Sequence, residues 1–215
     1  MAPRYPTLNP ERALIWRIIH RDNLDWVLAH GLQCANSGMR DPNFIPIGNP
    51  DLIAGRKEKH VQLAPGGTLS DYIPFYFTPF SPMMMNILSG RGVPARSREE
   101  ICILVSSLPK VVEKGLNFIF TDRHAYADLA NFYSDLNELS NIDWERIQAK
   151  DFKRDPEDPE KFEKYQAEAL VHQELPVDAL LGVVCYSEAV KSRVAELAES
   201  HSINLDVQVR PGWYL

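Results

Sequence analysis

With 45% hydrophobic and 24% charged residues, a chain of 215 residues can bury one sizeable core and lacks the compositional bias of a disordered or fibrous protein. Its formal net charge of -6 at pH 7 excludes a generic nucleic-acid coat, because nonspecific affinity comes from neutralising phosphates; any contact with nucleic acid has to be local. Cys34, Cys102 and Cys185 lie far apart with no CxxC pair, which disfavours a disulfide framework or a zinc site and leaves small buried hydrophobes.

In chain order, Met1 to Pro10 contains no apolar signal core, and no later stretch reads as a membrane span, so the expected compartment is the cytoplasm. Residues 14–19 (LIWRII) read as a strand. Asp22 is placed to cap a helix whose Leu24, Val27 and Leu28 share a face until Gly31 ends it. Residues 33–68 are polar and rich in Asn, Gly and Pro, apart from a short helix at 51–59; so long an irregular stretch reads as a binding loop. Six further apolar runs read as strands: 73–77, 101–107, 116–120, 166–172, 180–186 and 205–209. Residues 121–164 form a largely helical insertion, in which Tyr126, Leu129, Ala130, Tyr133 and Leu136 make one apolar stripe. A last helix, capped by Ser187, turns Val190, Val194 and Leu197 inward. Strands outnumber helices without alternating with them, and neither GxGxxG nor GxxxxGK[ST] occurs. The expected class is α+β, one domain over residues 1–215.

Several residues could carry chemistry. In QAEALVH a period of two puts Gln166, Glu168, Leu170 and His172 on one strand face. Glu168 is then either a partly exposed edge-strand acid or a rigidly held carboxylate suited to an oxocarbenium-like transition state. Arg56, beside Lys57 and Lys59, reads by itself as solvated surface, and its position matters only together with the rest. Phe75, Tyr76 and Phe77 are core aromatics or rings that stack on a ligand. His20 and Asn23 stand at a helix start, where they can cap the helix or touch a ligand. Thr121, Asp122, Arg123 and His124 leave a buried strand together and form a turn or a substrate contact. Cations at Arg146, Lys150, Lys153 and Arg154 are interleaved with acids, and fit a local groove or a solvated face equally well.

Taken in order, RIIHRDNL, APGGTLSDYIPFYFTPFSPMM, FTDRHAY, IDW, QAEALVH and RPGWYL resemble the DarT family of DNA ADP-ribosyltransferases, the toxin half of a toxin–antitoxin pair. The blocks run from about Ile15 to the C-terminus. The resemblance implies an ADP-ribosyltransferase-like split mixed β-sheet core with flanking helices and a helical substrate-binding insertion. It implies NAD+ as co-substrate without a metal, a base of single-stranded DNA as acceptor, and an antitoxin with macrodomain-type ADP-ribosyl hydrolase activity. Glu168 matches the family's catalytic glutamate and Arg56 its second essential residue. Arg17, His20, Asn23, Phe75, Tyr76 and Phe77 match segments lining the NAD+ cleft. Thr121, Asp122, Arg123, His124 and Arg154, within the insertion 121–164, match the DNA-binding part. Arg17 stands where better-known relatives have a histidine, and it inclines the choice between guanine and thymine toward guanine, which arginine reads well. The competing readings are transfer to RNA or protein, NAD+ hydrolysis, and a non-enzymatic binder of single-stranded nucleic acid.

Overall fold

The computed structural model describes residues 5–215; the first four residues of the N-terminal stretch lie outside the described residues. In chain order the elements are β1 (Leu14–His20), α1 (Leu24–His30), β2 (Leu32–Gln33), α2 (Pro50–Gly55), β3 (Tyr72–Tyr76), α3 (Pro82–Ser89), β4 (Ile101–Ser107), α4 (Leu108–Glu113), β5 (Phe118–Thr121), β6 (Phe132–Tyr133), α5 (Trp144–Ala149), α6 (Lys161–Lys164), β7 (Glu168–His172), β8 (Glu174–Leu175), β9 (Gly182–Cys185), α7 (Glu188–Ser200) and β10 (Val207–Val209).

All but β2 and β8 join one mixed sheet in the order β10-β9-β4-β1-β3-β7-β5-β6. Its pairings are antiparallel except β9 with β10, where α7 supplies the crossover that a parallel neighbour requires. The small β2–β8 pair forms a second sheet. This is the α+β architecture expected from the sequence. Central strands β1 and β4 are nearly continuous apolar runs because both sheet faces are covered there, and their residues Ile15, Ile19, Ile101, Cys102, Ile103 and Leu104 are buried. All three cysteines are free and buried. The last residues lock one end of the sheet: Tyr214 is fully buried, with its hydroxyl within hydrogen-bonding distance of the Ile101 and Val184 carbonyls on β4 and β9. Among the described residues no helix is long and apolar enough to cross a membrane.

Local chemistry sets the ends of the elements. His20, not Asp22, caps the first turn, its Nδ1 accepting from the Asp22 N–H at 3.2 Å. Gly31 ends α1 at φ +74°, where a side chain would also run into the Leu175 carbonyl. Ser187 caps α7 through the Val190 N–H, and Val190 and Val194 face the core.

The insertion is where pattern misled. Residues 122–131 form turns, β6 pairs with β5, and only short helical pieces follow, at Leu136–Asn141, α5 and α6. The stripe is therefore not a helix face: Leu129 is 67% exposed, and Tyr133 stacks on Phe120 across the β5–β6 pair. Its 3.6-residue spacing was accidental, since polar side chains hold the backbone here in place of a helical ladder. Asp122 accepts from both the N–H and the side-chain amide of Asn131, which closes the turn.

Candidate active site

Glu168 opens β7 directly opposite Tyr76 on β3. Since β7 lies between β3 and β5, Glu168 is no edge-strand acid; it is 2% exposed. A carboxylate survives such burial only if it is paired. One oxygen accepts from Arg56 Nη1 at 2.9 Å; the other accepts from the Ala125 N–H at 2.9 Å and lies 3.8 Å from His124 Nε2. Its own backbone N–H donates to Thr121 Oγ1 at 3.2 Å. Burial pushes the Glu168 carboxyl toward protonation, but Arg56, His124 and the Ala125 N–H outweigh it and hold the group below the ordinary glutamate range. An ionised carboxylate at the foot of a cleft is the result.

That cleft has a volume of about 620 Å³, the size of a small-molecule site. Arg17, Tyr76, Arg56, His124, Gln166 and Glu168 line it together with His20, Asn23, Trp26, Phe44 and Met83. Arg17 Nη1 donates to the Pro74 carbonyl at 2.8 Å; burial first, and then Arg56, lower its pKa to about 10. Burial and the neighbouring Glu168 push the Tyr76 phenol up, so it stays a neutral hydrogen-bonding group. Two guanidinium nitrogens here, Arg17 Nε and Arg56 Nη2, are buried without a protein partner. Buried unsatisfied donors beside a cleft are what a ligand's acceptor oxygens would complete.

The residues expected to line an NAD+ cleft divide. Arg17, His20, Asn23, Arg56 and Tyr76 line the cavity, whereas Phe75 and Phe77 are fully buried in the core, Phe77 edge-on to Trp144 at 5.5 Å. Asn23 acts as a staple, exchanging two 2.9 Å hydrogen bonds with the backbone of Ile45, and so ties the 33–68 loop to the first helix.

The residues expected to meet DNA divide more sharply. His124 reaches the cavity. Thr121 is buried under the Arg123 carbonyl, and Asp122 is spent on Asn131. Arg123, with a side chain 8% exposed, is held by Asp122 at 3.4 Å and Glu160 at 3.1 Å. Several of the other insertion cations are engaged as well: Arg146 with Asp143 and Asp158, Lys161 with Asp151, and Arg154 stacked over the Phe162 ring at 4.4 Å. Lys57 and Arg91, by contrast, line the cavity, are exposed, and form no ion pair among the described residues. Sequence reading missed Arg91 because only the fold brings the end of α3 to the cleft.

This placement changes what an Arg123 variant should do. Arg123→Ala is expected to lower stability by about 1–3 kcal/mol, because the mutation strips buried polar partners. Urea unfolding read by circular dichroism measures this. Unchanged stability with a selective loss of DNA modification would instead give Arg123 the acceptor-reading role that the sequence suggested.

The family model described as "ssDNA thymidine ADP-ribosyltransferase, DarT" matches residues 16–215. The chain belongs to the DarT family. A DNA ADP-ribosyl transferase of Escherichia coli O127:H6 (strain E2348/69 / EPEC) is 53% identical over 209 residues, covering 97% of this chain and 96% of the relative. The structure of Thermus sp. 2.9 DarT in complex with ADP-ribosylated ssDNA superposes with a TM-score of 0.89 at 36% identity, with both chains fully covered. Thermus sp. 2.9 DarT in complex with NAD+ gives a TM-score of 0.83 at 36% identity, covering 98% of this chain and all of that one. The chain is thus an ADP-ribosyltransferase of the kind that uses NAD+ and modifies single-stranded DNA, on the mixed-sheet fold of that family.

Proposed function

We propose that this chain, as one ADP-ribosyltransferase domain, transfers ADP-ribose from NAD+ to thymine in single-stranded DNA, with Glu168 as catalytic carboxylate and Arg56 as its partner. The observation that carries the assignment of roles is the buried, ionised Glu168 at the foot of the cleft, fixed by Arg56 and the Ala125 N–H. A carboxylate held this way is preorganised: it need not reorganise as positive charge develops on the ribose ring. In the reaction the bond between the ribose C1 and the nicotinamide nitrogen breaks, and nicotinamide leaves with the electron pair. A ring nitrogen of the acceptor base then bonds to C1 and gives up its proton. Glu168 engages a ribose hydroxyl and is the relay for that proton, with Arg56 orienting the base through its unpartnered Nη2.

Thymine is preferred over guanine on two grounds. The matching family is described by thymidine, and the Arg17 guanidinium, which inclined the sequence reading toward guanine, is partly spent on the Pro74 carbonyl. His20, Asn23, Arg17 and Tyr76 are assigned to NAD+, and His124, with the exposed cations Lys57 and Arg91, to the acceptor side. The biological setting proposed is that of a cytoplasmic toxin restrained by an antitoxin able to remove ADP-ribose from DNA, which rests on the family resemblance.

The test is mass spectrometry of oligonucleotides incubated with protein and NAD+. A single strand with thymine as its one modifiable base is expected to gain ADP-ribose. The corresponding guanine strand and a blunt duplex are expected to stay unmodified, because extruding a paired base costs a few kcal/mol. Modification of the guanine strand alone would reverse the base assignment, and equal modification of strand and duplex would remove the single-strand requirement.

A further inference from the structure

The helix that carries Arg56 poses a problem of support. α2, Pro50–Gly55, buries none of its residues, and Leu52 and Ile53 are each 40% exposed. Its Asn49 cap holds the helix together but does not tie it to the sheet. Yet Arg56, the residue that ends it, must reach Glu168 at 2.9 Å, and an unburied helix of one and a half turns cannot hold that register by itself.

What touches it is the turn that follows β5. The Tyr126 ring lies against Gly55 so closely that a methyl group on Gly55 would sit 2.5 Å from the phenol oxygen and 2.7 Å from the carbon bearing it. Gly55 is in ordinary helical backbone, outside the positive-φ residues, so what a side chain there would meet is the ring and not a conformational barrier, and either the ring or the helix would have to shift. Four residues on, Lys59 Nζ reaches the Ala127 carbonyl at 3.4 Å and Asp128 at 3.5 Å. The same turn holds the other half of the pair, because the Ala125 N–H binds Glu168 and the Tyr126 N–H is fixed on His124 Nδ1 at 3.2 Å. Residues 124–128 therefore grip both members at once.

We propose that Tyr126 is a positioning residue that sets Arg56 against Glu168 through its contact with Gly55, and this rests on the roles assigned to those two residues above. Tyr126 is 39% exposed and does not itself line the cleft, so it acts on the reaction through Arg56.

The experiment is a double-mutant cycle on the full chain with Gly55→Ala, Tyr126→Ala and the double variant, with Tyr126→Phe as the conservative control. Rates of DNA modification and of nicotinamide release are measured, together with melting temperatures and crystal structures. Each single variant is expected to lower kcat by about 10- to 10²-fold, as displacement of a reacting group by an ångström does, with KM for NAD+ little changed. Gly55→Ala should lower the melting temperature, because moving Arg56 leaves the buried Glu168 carboxylate without its main partner, and the crystal structure, with the fold intact and Arg56 displaced, separates this misplacement from unfolding. Tyr126→Phe keeps the ring and should stay close to wild type. Once the ring is gone the added methyl has room, so Gly55→Ala should cost little more on the Tyr126→Ala background. The Arg56–Glu168 contact should be broken in the Gly55→Ala crystal structure.

Losses that simply multiply in the double variant would overturn the proposal, as would an intact Arg56–Glu168 contact in Gly55→Ala. A Tyr126→Ala variant that raises KM for the oligonucleotide and leaves kcat unchanged would overturn it too, making the ring a base-stacking platform. Should the wild type release nicotinamide without modifying DNA, the acceptor assignment fails, while the cycle is still read from nicotinamide release and the crystal structures.

Discussion

Glu168→Gln is expected to lower kcat for DNA modification by about 10²–10³-fold or more, the scale seen when one preorganised electrostatic contact is removed from an active site, while NAD+ still binds. The amide keeps the size of the carboxylate and one acceptor oxygen, but it carries no charge to set against the developing oxocarbenium ion. It also faces two donors, Arg56 Nη1 and the Ala125 N–H, with a single oxygen, so one of them meets an NH2 group. Single-turnover kinetics and calorimetric titration with NAD+ separate the two effects, because a group acting in the transition state changes kcat more than ground-state binding. Near-normal modification by this variant would end the catalytic assignment. The wild-type profile carries a matching signature. Arg56, His124 and the Ala125 N–H hold the Glu168 carboxyl below the ordinary range, so the acidic limb of activity should fall below the range where a free glutamate titrates, near pH 4.3.

How far the sequence led depends on whether a feature is written in local pattern or in tertiary contact. β4 appears over residues 101–107, where it was expected, because its apolar run is bounded by a Ser97 capping box and by the Ser107 cap of α4. β1 and α7 were legible for the same reason. The two-residue strands β2, β6 and β8 were not, since each is too short to show a period and exists through its partner. α3 was hidden by the aromatic run before it and the methionines within it, although Ser81 and Pro82 form a good helix start. The insertion failed because helical spacing was read without the Asx and turn chemistry at Asp122 and Asn131 that competes with a helix.

For the site, family blocks reached further than residue chemistry. Glu168 and Arg56 are 112 positions apart, and nothing local joins them; their pairing is made by β7 entering the sheet beside β3 while α2 folds over the cleft. Charge pattern overstated the free charge of the insertion, because neighbouring acids pair with Arg146, Lys161 and Lys164, which a count of Lys and Arg conceals. Gly55 carried no signal, and Tyr126 was read only as part of an apolar stripe and a family block. Their relation is a distance of closest approach across 71 positions of sequence, visible only when the two segments are brought together.

Arg56→Met is expected to be the most damaging substitution for stability near the cleft, costing about 3–5 kcal/mol at pH 7, because it leaves a charged carboxylate buried without its main partner. The side chain is 14% exposed and Glu168 2%, so little solvent screening offsets the loss. The pH dependence identifies the cause. In the wild type the Glu168 pKa is depressed in the folded state, so the pair contributes stability that is fully present above the unfolded glutamate value and is lost as pH falls through the lower folded value. In the variant burial is no longer outweighed by Arg56, the carboxyl takes up a proton at higher pH, and neutralisation relieves the unpaired charge. The stability gap between wild type and variant should therefore narrow as pH is lowered from 7 toward 4, as urea unfolding across that range would show. Adding Glu168→Gln to Arg56→Met should recover part of the loss, since removing both charges is better tolerated than stranding one. A gap that stays constant with pH, with no recovery in the double variant, would mean that Arg56 stabilises the cleft by packing and not by compensating Glu168.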